Sequence, residues 1–292
     1  LIDGDILCYK ASSVTDGKHY LIHYEYEGLP IVLRERYAKD ADVLMASLMS
    51  EGFTNIKRTI GYEPEPLHNA LNNIEESIDS LKNNIQKYTD GIGPVRFFLS
   101  RHGSFREKLF PPYKNNREET RRPVHLEILK DHLSLEHAAE CYSGLFEADD
   151  LMAMAQDTNS IICSVDKDLL QVPGHHYNFV KDKYQIVSET EGLINLYTQI
   201  LTGDVADGIP GLAGVGPKTA EKLLKGLTSE QEMYRVVFNK YVETVPKMDI
   251  GLSLETEGFH ESIMTLINTN ANLLYLRRSL EDKGWTEPLG RT

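Results

Sequence analysis

Eight carboxylates in four short clusters are placed to do chemistry together. They are Asp3 in the apolar opening LIDGDIL, Glu147, Asp149 and Asp150 in GLFEADDLMAMA, Asp166 and Asp168 in SVDKDLL, and Asp204 and Asp207 in GDVADGIPG. Each cluster lies where a predicted strand or turn meets a helix, beside residues that should be buried. Like charges packed in a fold repel and lose hydration, so such a set persists only if cations neutralise it. Oxygen ligands without accompanying Cys or His suit a hard ion, Mg²⁺ or Mn²⁺. Any one cluster reads equally well as a solvated acidic face; the whole set, taken with the glycine loop described next, does not.

That loop is GIPGLAGVGPKTAEKLLKG, residues 208–226. Gly211, Gly214 and Gly216 allow a tight hairpin of backbone, and Pro217 is placed as the first residue of the helix that follows. A glycine-rich turn opening a helix offers free N–H groups and the positive end of the helix dipole to a phosphate. Lys218, Lys222 and Lys225 lie near that helix and can neutralise neighbouring phosphates. The pattern, which runs on through Thr219 and Ala220, resembles the helix–hairpin–helix of DNA repair and replication proteins. That module grips one strand's backbone without reading bases. The alternative is an ordinary capped helix pair.

The elements that must position these residues alternate. Strands are predicted at 1–8, 95–99, 160–165 and 176–181, the first and third as continuous apolar runs of the kind found in central parallel strands. Helical patterns fall at 39–51, 67–88, 123–134, 149–156, 191–202, 217–225, 230–243 and 259–281. This order predicts an α/β fold: a mostly parallel central sheet flanked by helices, followed by the helix–hairpin–helix region. Sites in such sheets form outside the C-terminal strand ends, and Asp3 and Asp166 sit in or just past such ends. Leu67, Leu71, Ile74, Ile78, Leu81 and Ile85 mark one amphipathic helix with a structural role. Residues 16–38 read as a Tyr-rich hairpin. His175-His176 reads as a turn entering a strand rather than a ligand pair.

The 292 residues suffice for a substantial core, and 41% hydrophobic with 26% charged residues is the composition of a soluble globular protein. No apolar run approaches the roughly 18 residues that span a bilayer. The opening LIDGDILCY has no basic n-region and reads as a buried strand, not a signal peptide. Because it lacks Met, a short preceding segment is expected. Cys8, Cys141 and Cys163 are odd in number and widely spaced, which favours a reducing cytoplasm without disulfides or a zinc knuckle. A net charge of −13 argues against indiscriminate coating of nucleic acid. Residues 101–130 nevertheless carry +4, which suggests one defined phosphate contact.

Five segments, in this order, carry a resemblance to the flap-endonuclease superfamily of structure-specific 5′-nucleases, and specifically to bacteriophage 5′→3′ exonucleases. They are LIDGD at 1–5, SFREKLFPPYKNNR at 104–117, EADD at 147–150, SVDKDLL at 164–170 and GDVADGIPGLAGVGPKTA at 203–220. The resemblance implies a PIN-like nuclease core over 1–190 and a helix–hairpin–helix region with C-terminal helices over 191–292. It implies two ions, Mg²⁺ or Mn²⁺: Asp3, Glu147 and Asp149 at the first, Asp166, Asp168, Asp204 and Asp207 at the second, and Asp150 at their border. K⁺ is a further ion that the hairpin could take. The segment around 104–130 would be the helical arch or gateway for a single-stranded 5′ end. In it Lys114 and Arg117 would stabilise charge on the transferring phosphate, Arg106 would face phosphate, and Tyr113 would stack on a base or simply pack.

The implied activity is Mg²⁺-dependent hydrolysis of DNA with a free 5′ end or 5′ flap, and of RNA:DNA hybrids, in phage DNA replication. Its implied setting is the cytoplasm of an infected bacterial host, with replication proteins as possible partners and no membrane. Residues 16–92 match nothing in the family. Ser100 and Arg101 stand where family members carry another Asp of the first metal site, so weakened metal binding and reduced cleavage are expected. Two rivals follow: a DNA-structure-binding protein of this fold that has lost hydrolysis, and a PIN-type ribonuclease, against which the helix–hairpin–helix argues.

Overall fold

The computed structural model describes residues 1–117, 121–248, 251–252 and 258–288. The expected gateway segment therefore lies partly outside the described residues. The chain begins β1 (Ile2–Asp3), α1 (Gly4–Thr15), β2 (Lys18–Tyr26), β3 (Leu29–Glu35), α2 (Ala38–Ser50), β4 (Lys57–Tyr62) and α3 (Leu67–Ile85). It continues β5 (Phe97–Phe98), α4 (Phe105–Leu109), α5 (Leu126–Glu136), α6 (Ala148–Ala155), β6 (Ile161–Cys163), β7 (Gly174–Asn178) and β8 (Lys183–Val187). It closes with α7 (Glu189–Thr202), β9 (Gly203–Asp204), β10 (Ile209–Pro210), α8 (Pro217–Leu224), α9 (Glu230–Thr244) and α10 (Phe259–Leu274). No helix among the described residues is long and apolar enough to cross a membrane.

Two compact units divide these elements. The first takes Leu1–Ile6, Leu81–Arg121 and Leu133–Thr292; the second takes Leu7–Ser80 and Arg122–His132. The boundary expected at 190 falls inside the first unit.

The first unit holds a five-stranded sheet in the order β5-β1-β6-β7-β8. Its first four strands are parallel, with Ile2 opposite both Phe97 and Cys163, and Ile161 opposite His175. β8 adds an antiparallel edge, Gly174 opposite Val187. The mostly parallel sheet read from the sequence is thus present, with one edge strand that the sequence reading lacked. His175 and His176 lie within β7, and His176 Nε2 is spent on the Val172 carbonyl, 2.8 Å away. One apolar cluster, with Phe98, Leu151, Met152, Ile162 and Leu169, packs α6 on the sheet. A second joins α7, α8, α9 and α10 through Tyr197, Ile200, Leu224, Val237, Ile263 and Ile267. Each fully buried aliphatic chain of this kind stabilises the fold by about 1.5–3 kcal/mol.

One correction matters for the site. The strand expected over 1–8 ends at Asp3, and the chain turns at once into α1. Leu7, Cys8 and Ala11 are buried at helical, not alternating, spacing. Gly4 permits the turn: a Cβ there would meet the Phe98 carbonyl oxygen at 2.8 Å. Asp3 then accepts a hydrogen bond from the Ile6 N–H at 3.1 Å, as a helix-capping side chain does.

In the second unit β2 pairs antiparallel with β3 and β4. The expected hairpin is present, closed by Glu27 and Gly28, both at positive φ as a type I′ turn requires. α2 covers one face, packing Ala41 and Leu48 on Ile22. α3 buries Ile74, Ile78, Leu81 and Ile85 of its predicted stripe.

Candidate active site

Because β1, β5 and β6 run parallel, the residues just past their ends converge at one edge of the sheet. Asp3 ends β1, Ser100 follows β5, and Ser164 and Asp166 follow β6. The N-terminus of α6 adds Glu147 and Asp149, and the turn between β9 and β10 adds Asp204 and Asp207. Together with Asp168 these carboxylates line one cleft of about 260 Å³, shared with Lys114, Arg117 and Lys167. Seven of the eight predicted carboxylates thus meet, from segments up to two hundred positions apart.

Hydroxyls and backbone fix the carboxylates individually. Ser164 Oγ donates to Asp3 at 2.7 Å and accepts from the Asp166 N–H at 3.0 Å, tying β6 to β1. Asp166 accepts from the Asp168 N–H at 2.8 Å, and Gln199 of α7 donates to Asp168 at 2.5 Å. Asp204 Oδ1 accepts from the Ala206 and Asp207 N–H groups at 2.7 and 3.2 Å, which folds its loop back on itself.

The cations divide the cleft. Glu147 receives Lys114 Nζ at 2.6 Å, the Tyr113 hydroxyl at 2.8 Å and Arg106 at 3.3 Å. Burial alone would raise its pKa, but the charges of Lys114 and Arg106 outweigh that and hold it below the usual carboxylate range. Asp207 is paired with Arg117 and lies 3.7 Å from Lys114 Nζ. Among the described residues no cation comes within ion-pair distance of Asp3, Asp149 or Asp168, although the charges of Lys114 and Lys167 act on the last two from further off. Burial, with the neighbouring Asp5 and Asp166 charges, pushes the Asp3 carboxyl up to about 7. Burial plus Asp166 and Asp204 do the same to Asp168, also to about 7. Asp149 is driven well above its ordinary value by burial and by Asp166 and Asp3. Such groups are poised for a cation the protein itself does not supply.

A hard divalent ion fits this donor set, which is all oxygen and short of positive charge. Among the described residues no three of these carboxylates bring oxygens within 4.8 Å of one another. Each ion would thus take one or two carboxylates and complete its shell with water and phosphate oxygens, as Mg²⁺ commonly does.

Three predicted residues lie elsewhere than expected. Asp150 does not border the ions: it is fully buried and clasped by both Arg106 guanidinium nitrogens at 2.6 and 2.9 Å. It also accepts from the Glu147 and Arg277 N–H groups at 3.1 Å each. Arg106 accordingly cannot face phosphate; its exposure is 2%, and it also donates to the Leu273 and Tyr275 carbonyls. Tyr113 takes the packing alternative, its ring in the α7–α10 core and its hydroxyl on Glu147.

Among the described residues the gateway segment holds the five-residue α4, a short 3-10 turn, Asn115–Arg117, and the start of α5. Its base is joined to the Asp204–Asp207 loop. The Lys114 N–H donates to the Asp207 carbonyl at 2.9 Å, and Asn116 donates to that of Val205 at 2.9 Å. Ser100 accepts from the Ala148 N–H at 3.0 Å, so its hydroxyl caps the helix that presents Glu147 and Asp149. Beyond the cleft, a glycine turn links α7 to α8. A Cβ on Gly211 would lie 2.0 Å from the Thr202 carbonyl oxygen, and Gly214 has φ +75°. Leu212 and Val215 anchor the turn in the core, Gly216 precedes α8, and Lys218, Thr219 and Lys222 stand exposed on that helix.

Sequence reading missed Ser164, Gln199 and the segment after α10. Gln171 holds that segment through the Leu274 carbonyl and the Leu276 N–H, both at 2.9 Å. Nothing short-range in the sequence signals these contacts, whose partners lie 31 to 161 positions apart.

An acidic cleft at the C-terminal edge of a parallel sheet, with a glycine turn between helices beyond it, defines a 5′-nuclease type of fold. The family model of the 5′–3′ exonuclease N-terminal resolvase-like domain matches residues 55–198. Flap endonuclease Xni of Shewanella baltica is 29% identical over 188 residues, 58% of this chain and 71% of its own. Xni of Shewanella sediminis is 24% identical over 248 residues, 79% of this chain and 96% of its own. DNA polymerase I of Rhizobium leguminosarum is 32% identical over 145 residues, 42% of this chain but 14% of that one. In fold, the chain is similar to T5 5′-exonuclease with zinc bound. The TM-score is 0.50 at 17% identity, covering 68% of this chain and 80% of that one. The chain is thus similar in sequence to the 5′–3′ exonuclease N-terminal domain and to flap endonucleases, and similar in fold to a phage 5′-exonuclease.

Proposed function

We propose that this chain is a Mg²⁺-dependent 5′→3′ exonuclease and flap endonuclease acting on DNA with a free 5′ end or 5′ flap. The observation that carries the reading is the division of the cleft. Among the described residues Asp3, Asp149, Asp166 and Asp168 are in no ion pair, and at Asp149 and Asp168 burial outweighs the more distant cations, while Lys114 and Arg117 are paired with Glu147 and Asp207. Asp3, Glu147 and Asp149 would surround a first ion, and Asp166, Asp168, Asp204 and Asp207 a second, one or two of each set bound directly and the others through water. When bound, such ions activate a water and offset charge on the scissile phosphate and the leaving oxygen.

The chain's own residues do the rest. Lys114 and Arg117 sit at the cleft mouth with their charges already directed inward, where an incoming phosphate competes for them. Tyr113 keeps Glu147 in place from the buried side. The Arg106–Asp150 pair fixes the N-terminus of α6, and with it the carboxylates on either side of Asp150. Away from the cleft, α7, the glycine turn and α8 would act as a helix–hairpin–helix. Lys218, Thr219 and Lys222 would contact backbone phosphates, and K⁺ would sit at the turn. Specificity would then come from DNA structure rather than from base edges. RNA:DNA hybrids, primer removal in phage replication, partner replication proteins and the host cytoplasm complete the proposal. The relatives named flap endonuclease support it.

Cleavage of a 5′-labelled flap and of a blunt duplex, with Mg²⁺, Mn²⁺ and EDTA in parallel, tests it. Short 5′ fragments released only with metal are expected. Ser100 favours a second reading, a protein that binds these structures and cleaves weakly. Binding without cleavage in either metal selects that reading, and Ser100→Asp is then the variant expected to restore turnover.

A further inference from the structure

Four cations line the cleft, and three of them are held fast. Arg106 is locked on Asp150, Lys114 on Glu147 and Arg117 on Asp207. Lys167 differs. Its backbone is fixed between Asp166 and Asp168, whose N–H and carboxylate bond to each other across it. Its side chain is 73% exposed and, among the described residues, has one carboxylate within ion-pair distance, Asp204 Oδ2 at 3.7 Å, with the Asp168 charge further off. That distance is beyond hydrogen-bond range. Asp204 uses its other oxygen, Oδ1, for the two N–H groups of its own turn. Oδ2 is therefore the oxygen left for an ion, and Lys167 stands over it.

We infer that Lys167 is an exchangeable counter-ion, resting on Asp204 in the free protein and moving to a DNA phosphate when a divalent cation takes Asp204 Oδ2. The inference rests on the proposed nuclease reading and adds a phosphate contact to those proposed for Lys114 and Arg117. The physical basis is competition. A flexible four-carbon stem with a strongly hydrated ammonium, exposed on its own side, gives up a 3.7 Å pairing that is too long for a hydrogen bond at little cost. A divalent ion on the same oxygen repels it, and the anionic backbone of a bound strand is then its nearest source of negative charge. The same side chain would thus lower metal affinity in the free protein and raise DNA affinity in the loaded one.

The test uses the full chain with Lys167→Ala and Lys167→Arg. Mn²⁺ binding without DNA is measured by calorimetry. Flap binding is measured in Ca²⁺ across a salt series, with the same samples checked for cleavage. Lys167→Ala is expected to bind Mn²⁺ about two- to fivefold more tightly, the size of an exposed pair. It is also expected to bind the flap more weakly, with a log–log salt slope smaller by about one, while Lys167→Arg keeps the wild-type slope. Tighter Mn²⁺ binding with an unchanged salt slope would overturn the phosphate contact. No change in either would reduce Lys167 to a solvated surface charge. Wild-type protein that binds neither Mn²⁺ nor flap would instead overturn the nuclease reading itself, a result these variants do not imitate.

Discussion

Glu147 and Asp207 share one cleft with Asp3, Asp149 and Asp168, yet only the first two are in ion pairs with the cleft's cations. The first pair is met by Lys114, Arg117 and the Tyr113 hydroxyl. In the second group burial and neighbouring carboxylates outweigh the more distant charges of Lys114 and Lys167. The difference teaches that the site is electrostatically half-finished on one side. Carboxylates neutralised by the protein position the gateway residues, and carboxylates left without cations are the ones that call for an ion. The widest way to break this comparison is to remove charge from the unneutralised side. Asp168→Asn, or Asp204→Asn beside it, is expected to lower flap cleavage by about a hundredfold or more while leaving flap binding largely intact. Single-turnover cleavage and binding on one substrate check it, and unchanged turnover would show that the second ion is misplaced.

Stability should separate the two kinds of carboxylate in the opposite direction. Arg106→Ala leaves Asp150 buried without its partner, which is expected to cost about 3–5 kcal/mol. Asp149→Asn removes a charge that burial and its neighbours already oppose, and in EDTA it should not destabilise. Urea unfolding of both variants in EDTA reads the contrast. Equal losses would mean that Asp149 has a cationic partner in solution.

The pH dependence sharpens the comparison further. Asp3 and Asp168 have folded pKa values raised to about 7 from 3.8, so the folded state holds their protons more tightly than the unfolded one. Their stabilising effect is complete below about pH 4 and is lost as the pH rises through about 7. Glu147 is depressed below 4.5, so its contribution is present above that value and is lost as the pH falls through its folded pKa. In EDTA, Asp168→Asn should therefore flatten the fall in stability between pH 5 and 8, as measured by urea unfolding. Glu147→Gln should remove part of the loss on the acid side. Added Mg²⁺ should offset the decline at pH 8, because the ion takes the deprotonated form.

The sequence made the acid clusters legible because each is local, and it made the glycine turn legible because Gly211 and Gly214 answer a backbone demand that few other residues meet. The α3 stripe was equally plain, its burial following a spacing of three and four. What it hid has a common cause. Asp149 and Asp150 are adjacent, but successive helical side chains diverge by about 100°, so one faces the cleft and the other faces Arg106. Which does which depends on an arginine 44 positions away. The opening run was misread for a similar reason. Ile2 to Cys8 is too short for periodicity to decide, and the turn at Gly4 is set by contact with Phe98, a distant neighbour.

The smallest effect expected lies outside the cleft and tests whether cations there do a different job. Lys114 meets carboxylates, whereas Lys218 is exposed on α8 past a glycine turn whose free N–H groups also suit phosphate. Lys218→Ala is therefore expected to weaken binding a few-fold for every duplex sequence alike and to lower the salt slope by about one, with cleavage per bound complex unchanged. Binding across a salt series on two duplexes of different sequence checks it. A loss confined to one sequence would mean that α8 reads bases. A loss of turnover without loss of binding would join α8 to the cleft chemistry and dissolve the distinction between cations that hold carboxylates and cations that hold DNA.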